Sequence, residues 1–184
     1  MTVVQAQHEA FVAEVVDVME AFGVRVLGSY VLGSALLGGF DPRTSDLDLV
    51  FVVARRLDSF ERAAVVRALD ELTVPVRKLE LVVYAVGAKP PAYELNYPDG
   101  EGERPHWFVL DAAIAQERAQ PFTGRPWGEL LEVVSDEEIK QAAQESLDWS
   151  ARRPADDPFA RVNAVRSRHY LEHGEWITKK EASQ

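Results

Sequence analysis

The sequence predicts an α+β protein, a sheet-bearing segment followed by helices. Two observations carry this. Over residues 1–86 the apolar pattern switches between helical and strand spacing, in the order helix, strand, turn, strand, helix, strand. Beyond Ser135 the pattern is helical only, and capping signals mark where helices start.

The elements follow in order. Phe11, Val12, Val15, Val16, Met19 and Phe22 recur at helical spacing over residues 5–22, and Gly23 stops the helix. Residues 24–32 read as a strand interrupted by Gly28-Ser29, and residues 34–37 as one helical turn ended by Gly38-Gly39. Residues 46–54 alternate and then become continuously apolar, the pattern of a mostly buried strand. Residues 59–72 form an amphipathic helix with Phe60, Ala63, Val66 and Leu69 on its inner face, and residues 76–86 form a third strand. Residues 87–105, "GAKPPAYELNYPDGEGERP", carry four prolines and three glycines and predict a long functional loop. A helix covers 107–120, and "PFTGRPWG" is a turn region. Ser135 with Glu138 is a capping box that opens the next helix, and the domain boundary falls before it, giving domains 1–134 and 135–184. A further helix covers 160–172, ending near Gly174. Thr178 with Glu181 is a second capping box, about one turn from the last residue, which reads either as a helical domain cut short or as a frayed tail.

Composition narrows the function. Of 184 residues, 47% are apolar, enough for a real core. No run is long enough to span a bilayer, the first residues "MTVVQAQHEAFVAEVV" lack the basic start and cleavage site of a signal peptide, and the absence of cysteine excludes disulfides and thiolate zinc sites. A soluble cytoplasmic protein with no membrane partner is expected. The formal net charge of -10 argues against a nucleic-acid partner and suits a cationic small molecule, or simply solubility. His169 and His173 stand four apart but lack a third ligand, so the histidines read as solvated or packing residues.

The informative stretch is "GSALLGGFDPRTSDLDLVFVV", residues 33–53. On a strand, Asp46 and Asp48 point to one face, and two carboxylates that close repel unless a cation sits between them. Mg²⁺ resolves this, because it binds one or two carboxylates together with substrate phosphates. Gly33-Ser34, opening a helical turn, can offer N–H groups and a hydroxyl to a phosphate. In "KLELVVYAV" a third carboxylate, Glu80, interrupts an apolar strand, a costly placement unless it is paired or functional.

This assembly resembles the nucleotidyltransferase superfamily of polymerase-β-like enzymes, and within it the aminoglycoside (3″)(9) adenylyltransferases, which modify streptomycin and spectinomycin. The resemblance runs through "GSALLGGFDPRTSDLDL", "LELVVY", "YELNY", "HWFVLDAAIAQERAQPFTGRP" and "NAVRSRHYLEHGEWITKKEA", essentially the whole chain. It implies an N-terminal polymerase-β-like domain with a mixed sheet, a C-terminal helical domain, and transfer of AMP from Mg-ATP to a drug hydroxyl. By resemblance Asp46 and Asp48 hold Mg²⁺, and Glu80 is the general base. Gly33, Ser34, Ser45, Arg166 and Lys179 serve the nucleotide, and Trp149 and Asp156 serve the drug. Relative to the family pattern the chain lacks about one turn before Arg166 and the helices after Gln184. Weak or absent activity, as a truncated nucleotide-binding protein, is therefore the alternative expectation. A nucleotidyltransferase of toxin–antitoxin type acting on a protein is a third.

Overall fold

The computed structural model describes residues 3–33, 36, 45–100 and 105–184. Helix α1 (Val3–Ala21) leads into strand β1 (Val26–Val31), followed by β2 (Leu47–Val53), α2 (Ser59–Glu71) and β3 (Leu79–Ala85). Then come β4 (Leu95–Tyr97), α3 (Pro105–Arg118), β5 (Pro121–Gly124) and a short α4 (Trp127–Leu130). Two long helices close the chain, α5 (Asp136–Ala151) and α6 (Pro158–His173), before a 3₁₀ turn at Glu181–Ser183. Ser34 and most of the helical turn expected at 34–37 lie outside the described residues.

The five strands form one mixed sheet in the order β4-β3-β2-β1-β5. Only β2 and β3 run parallel, because α2 carries the chain back to the same end; the other pairs are antiparallel. Strand alternation sorts side chains between two cores. Leu47, Leu49, Phe51 and Val53 pack with Leu81 and Val83 against α1 and α2. Val50, Val52, Tyr84 and Tyr30 pack against α3, α5 and α6. The same alternation puts Asp48 and Glu80 on this second side of the sheet.

The helices fall where their caps predict. Phe11, Val12, Val15 and Met19 of α1 are buried, whereas Phe22 lies past its end and is 39% exposed. Ser135 and Glu138 form the reciprocal capping box of α5. Gly174 ends α6 in the left-handed conformation, with φ 71°. The box at Thr178 is also formed, Thr178 N donating to Glu181 Oε2 at 2.8 Å and Glu181 N to Thr178 Oγ1 at 3.1 Å. Helices α5 and α6 are joined by a buried Ser167–Ser146 hydrogen bond of 2.9 Å.

Three expectations are corrected. The long loop contains β4, which pairs with β3, and the "PFTG" turn region is a strand that pairs with β1. Both strands are too short, and too rich in proline and glycine neighbours, to show a period. The inner face of α2 is Glu61, Ala64, Val65 and Leu69, while Phe60 is 69% exposed. The face is rotated because Glu61 is drawn inward by hydrogen bonds. It closes a capping box with Asp58 and accepts Arg55 Nη1 at 2.9 Å.

Glu61 yields a pH prediction. The Arg55 hydrogen bond, then the backbone bond from Asp58, hold its carboxyl down at about 2. A carboxylate held low stabilises the fold above its ordinary value of about 4.3, and that contribution is lost as pH falls towards about 2. Glu61→Gln should therefore lower the thermal midpoint at pH 7, and the gap to the parent should close near pH 2, as followed by circular dichroism. A gap that is the same at both pH values would remove the ion pair from the account.

Candidate active site

The site begins at the pairing of β2 with β3. Their parallel register sets Leu47 beside Leu79 and Asp48 beside Glu80. Leu47 N donates to Lys78 O at 2.9 Å, which fixes this end of the pair. On the other flank Leu32 N donates to Asp48 O at 2.8 Å and brings Gly33 against the aspartate. Gly33 has φ 59°, and a Cβ there would stand 1.6 Å from Asp48 Oδ2. Only glycine tolerates both the left-handed backbone and that contact.

The carboxylates open into a cavity of about 640 Å³. Ser45, Asp46, Asp48 and Glu80 line one wall, and Asp111 of α3 lines another. Arg166 of α6 and Lys179, from the return segment after it, line a third. Arg166 Nε donates to Ile177 O at 3.0 Å, which ties that segment to α6. Trp176 reinforces the tie by stacking on Tyr170, ring centroids 4.2 Å apart.

The electrostatics of the cavity are those of crowded carboxylates facing two cations. Burial, then the charges of Asp111 and Glu80, push the Asp48 carboxyl up to about 7, against a smaller opposing pull from Lys179. Asp111 faces the open cavity but is hemmed in by protein, which raises its carboxyl to about 6; Arg166 and Lys179 oppose the rise. Burial lowers Arg166, and Asp111 partly restores it. Asp46 is gripped by Arg77, Nη2 to Oδ1 at 2.8 Å and to Oδ2 at 3.0 Å. Glu80 accepts from Lys78 Nζ at 2.8 Å. Crowded oxygen donors of this kind fit a hard divalent cation. Among the described residues no group of three or more His, Cys, Asp or Glu side chains could hold a metal alone. Asp46 and Asp48 are the residues on this wall that could hold such a cation.

Interior polar atoms also await partners. Asn163 Nδ2 and Trp176 Nε1 are buried without a hydrogen-bond partner among the described residues, and both side chains belong to the cavity wall. Unsatisfied buried donors are uncommon and call for an explanation such as a ligand.

Of the residues singled out in the sequence, Gly33, Ser45, Asp46, Asp48, Glu80, Arg166 and Lys179 all line this cavity. Trp149 and Asp156 do not. The Trp149 ring packs edge-on against Trp107, centroids 5.4 Å apart, and Arg153 covers it at 4.6 Å. Asp156 is solvent-exposed beside Asp157, which caps α6. Trp107 and Phe159, against which Trp149 packs, are among the aromatic residues that do line the cavity. Asp111 was missed, although it is the lone carboxylate amid the apolar run "FVLDAAIA". Arg77 and Lys78 were missed as well, adjacent cations directly before Leu79 and Glu80.

The mixed sheet and the helices packed on its second side frame this cleft. The structure is similar to that of the spectinomycin adenyltransferase AAD(9) from Enterococcus faecialis, solved with ATP and spectinomycin. The TM-score is 0.69, with 20% sequence identity over 86% of this chain and 73% of that chain. The likeness establishes the adenyltransferase fold. A toxin–antitoxin structure with AMP-PNP shows a weaker likeness, with TM-score 0.35 and 14% identity over 79% of this chain and 91% of that chain. No family model and no curated protein matches the sequence. No helix among the described residues is long and apolar enough to cross a membrane.

The Gly33–Asp48 contact predicts a stability result. Gly33→Ala combines a left-handed alanine with a collision and should cost about 2 kcal/mol or more. Adding Asp48→Ala removes the colliding carboxylate and should recover part of that loss in urea unfolding. Strictly additive losses in the double variant would contradict the contact.

Proposed function

We propose that the protein is an adenylyltransferase that moves AMP from Mg-ATP to a hydroxyl of a cationic acceptor, spectinomycin or streptomycin. The observation that carries this is the convergence of Asp46, Asp48 and Glu80, at one end of β2 and β3, on a cavity whose facing wall holds Arg166 and Lys179. Support comes from the likeness in fold to an adenyltransferase solved with ATP and spectinomycin.

Each residue then has a chemical task. Arg166 and Lys179 attract the triphosphate and neutralise charge that grows on the leaving pyrophosphate. Magnesium held by Asp46 and Asp48 supplies further charge stabilisation there when bound. Glu80 takes the proton from the acceptor hydroxyl. The hydroxyl oxygen forms its bond to the α-phosphorus as the bond from that phosphorus to the pyrophosphate oxygen breaks. The carboxylates, Asp111 among them, draw a polycationic acceptor into the cleft. Trp107 and Phe159 offer it apolar faces. The net charge of -10 suits such a partner and not a nucleic acid.

Transfer of label from α-³²P-ATP to spectinomycin or streptomycin, with Mg²⁺ present, tests the reading. Label should appear on at least one drug, and Asp48→Asn should abolish it. Glu80→Gln should lower kcat by about 10²–10⁴ and leave Mg-ATP affinity nearly unchanged. A folded parent that labels neither drug would contradict the proposal. Collapse of Mg-ATP affinity in Glu80→Gln would make Glu80 a ligand rather than a base.

A further inference from the structure

The adenylyltransferase reading leaves Arg77 without a task, yet this residue occupies one of the carboxylates that the reaction needs. Arg77 Nε and Nη2 reach Asp46 Oδ1 at 3.1 and 2.8 Å, and Nη2 also reaches Oδ2 at 3.0 Å. Both oxygens of Asp46 are thereby engaged by one guanidinium. A hard cation cannot take those oxygens while the fork stays in place.

The surroundings favour exchange over a fixed clamp. The backbone at this point is already held by the Leu47 N to Lys78 O bond, so the strand ends do not depend on the ion pair. The Arg77 side chain is 60% exposed, against 23% for Asp46. The guanidinium can therefore swing away with little change in its own hydration, while the carboxylate stays within the cleft. Arg77 lines the same cavity as Arg166 and Lys179. Its planar fork suits a phosphate as well as it suits a carboxylate. Neighbouring Lys78 is differently placed, between Glu80 at 2.8 Å and Asp99 at 4.0 Å.

We propose that Arg77 exchanges partners: it guards Asp46 in the empty cleft and turns to the nucleotide's phosphates when magnesium takes Asp46. This inference rests on the adenylyltransferase reading, with Asp46 as a metal ligand. Charge stays matched throughout, because the incoming cation replaces the guanidinium at Asp46 and the incoming phosphates replace Asp46 at the guanidinium. The exchange makes metal binding weak without nucleotide and stronger with it.

The test uses two probes on the full chain. Mn²⁺, an oxygen-preferring stand-in for Mg²⁺, is titrated without nucleotide and read from the free Mn²⁺ paramagnetic resonance signal. The nucleotide probe is α,β-methylene-ATP at saturating Mg²⁺, read by calorimetry. Arg77→Gln should bind Mn²⁺ about tenfold more tightly than the parent and bind the analogue about tenfold more weakly, each shift reflecting one charge-assisted interaction. Arg77→Lys keeps the charge but not the fork and should fall between the two on both probes, which guards against a folding defect in the glutamine variant. Mn²⁺ affinity that is unchanged or weaker in both variants overturns the proposal. Tighter Mn²⁺ with unchanged or tighter analogue binding also overturns it, by showing that Arg77 never reaches the phosphates. Asp46→Asn separates the underlying reading. If it leaves Mn²⁺ affinity unchanged in both the parent and Arg77→Gln, Asp46 is not a metal ligand and the reading itself fails.

Discussion

The structure turns on one electrostatic conflict, the placing of Asp48 at the inner end of β2 with other carboxylates around it. A buried carboxylate without a cation shifts towards its neutral form, and like charges nearby add to the shift. Here Asp111 and Glu80 both contribute, and Lys179 only partly offsets them. A fold built for stability alone would place an apolar residue at this position, as it does at Val50 and Val52 on the same face of the strand. Keeping an acid there costs free energy, which in the proposed reaction a bound cation and its phosphates would recover.

The rest of the architecture sets that conflict in place. The parallel β2–β3 pair fixes Glu80 beside Asp48, and α2 makes parallel pairing possible by crossing between them. Gly33 permits the turn after β1 to close on Asp48. Helix α3 brings Asp111 across the cavity, and the return after α6, held by Arg166 and Trp176, brings Lys179. No one of these residues makes a site; the sheet and both helices are needed to converge them.

Much of this was legible in the sequence, for physical reasons. Period-two alternation makes the carboxylate at Glu80, interrupting an apolar strand, visible whatever its partners, while its place beside Asp48 depends on the β2–β3 pairing. Capping boxes are local, so Ser135 with Glu138 and Thr178 with Glu181 announced their helix starts. What was not legible depends on distant partners. Strands β4 and β5 exist because β3 and β1 offer open edges. The inner face of α2 was misjudged because Glu61 is buried through Arg55 and Asp58 rather than by its own hydropathy. Trp149 and Asp156 were singled out by resemblance alone; they do not line the cavity, whereas Trp107 and Phe159, which pack against Trp149, do. Asp111 and Arg77 carried a weak signal, a lone charge beside apolar residues, whose meaning appears only when the helix and the sheet meet.

The central claim is that Asp48 is a crowded carboxylate whose missing partner is a metal carried by phosphates. Its most direct measurement is a carbon-13 titration of the Asp48 carboxyl, assigned by comparison with Asp48→Asn. The account predicts an inflection near pH 7 in the empty protein. With Mg²⁺ and α,β-methylene-ATP present it predicts a fall to or below the ordinary aspartate value of about 3.9, because a bound cation favours the charged form. An inflection at the ordinary value in the empty protein, unmoved by Mg²⁺ and nucleotide, would contradict it.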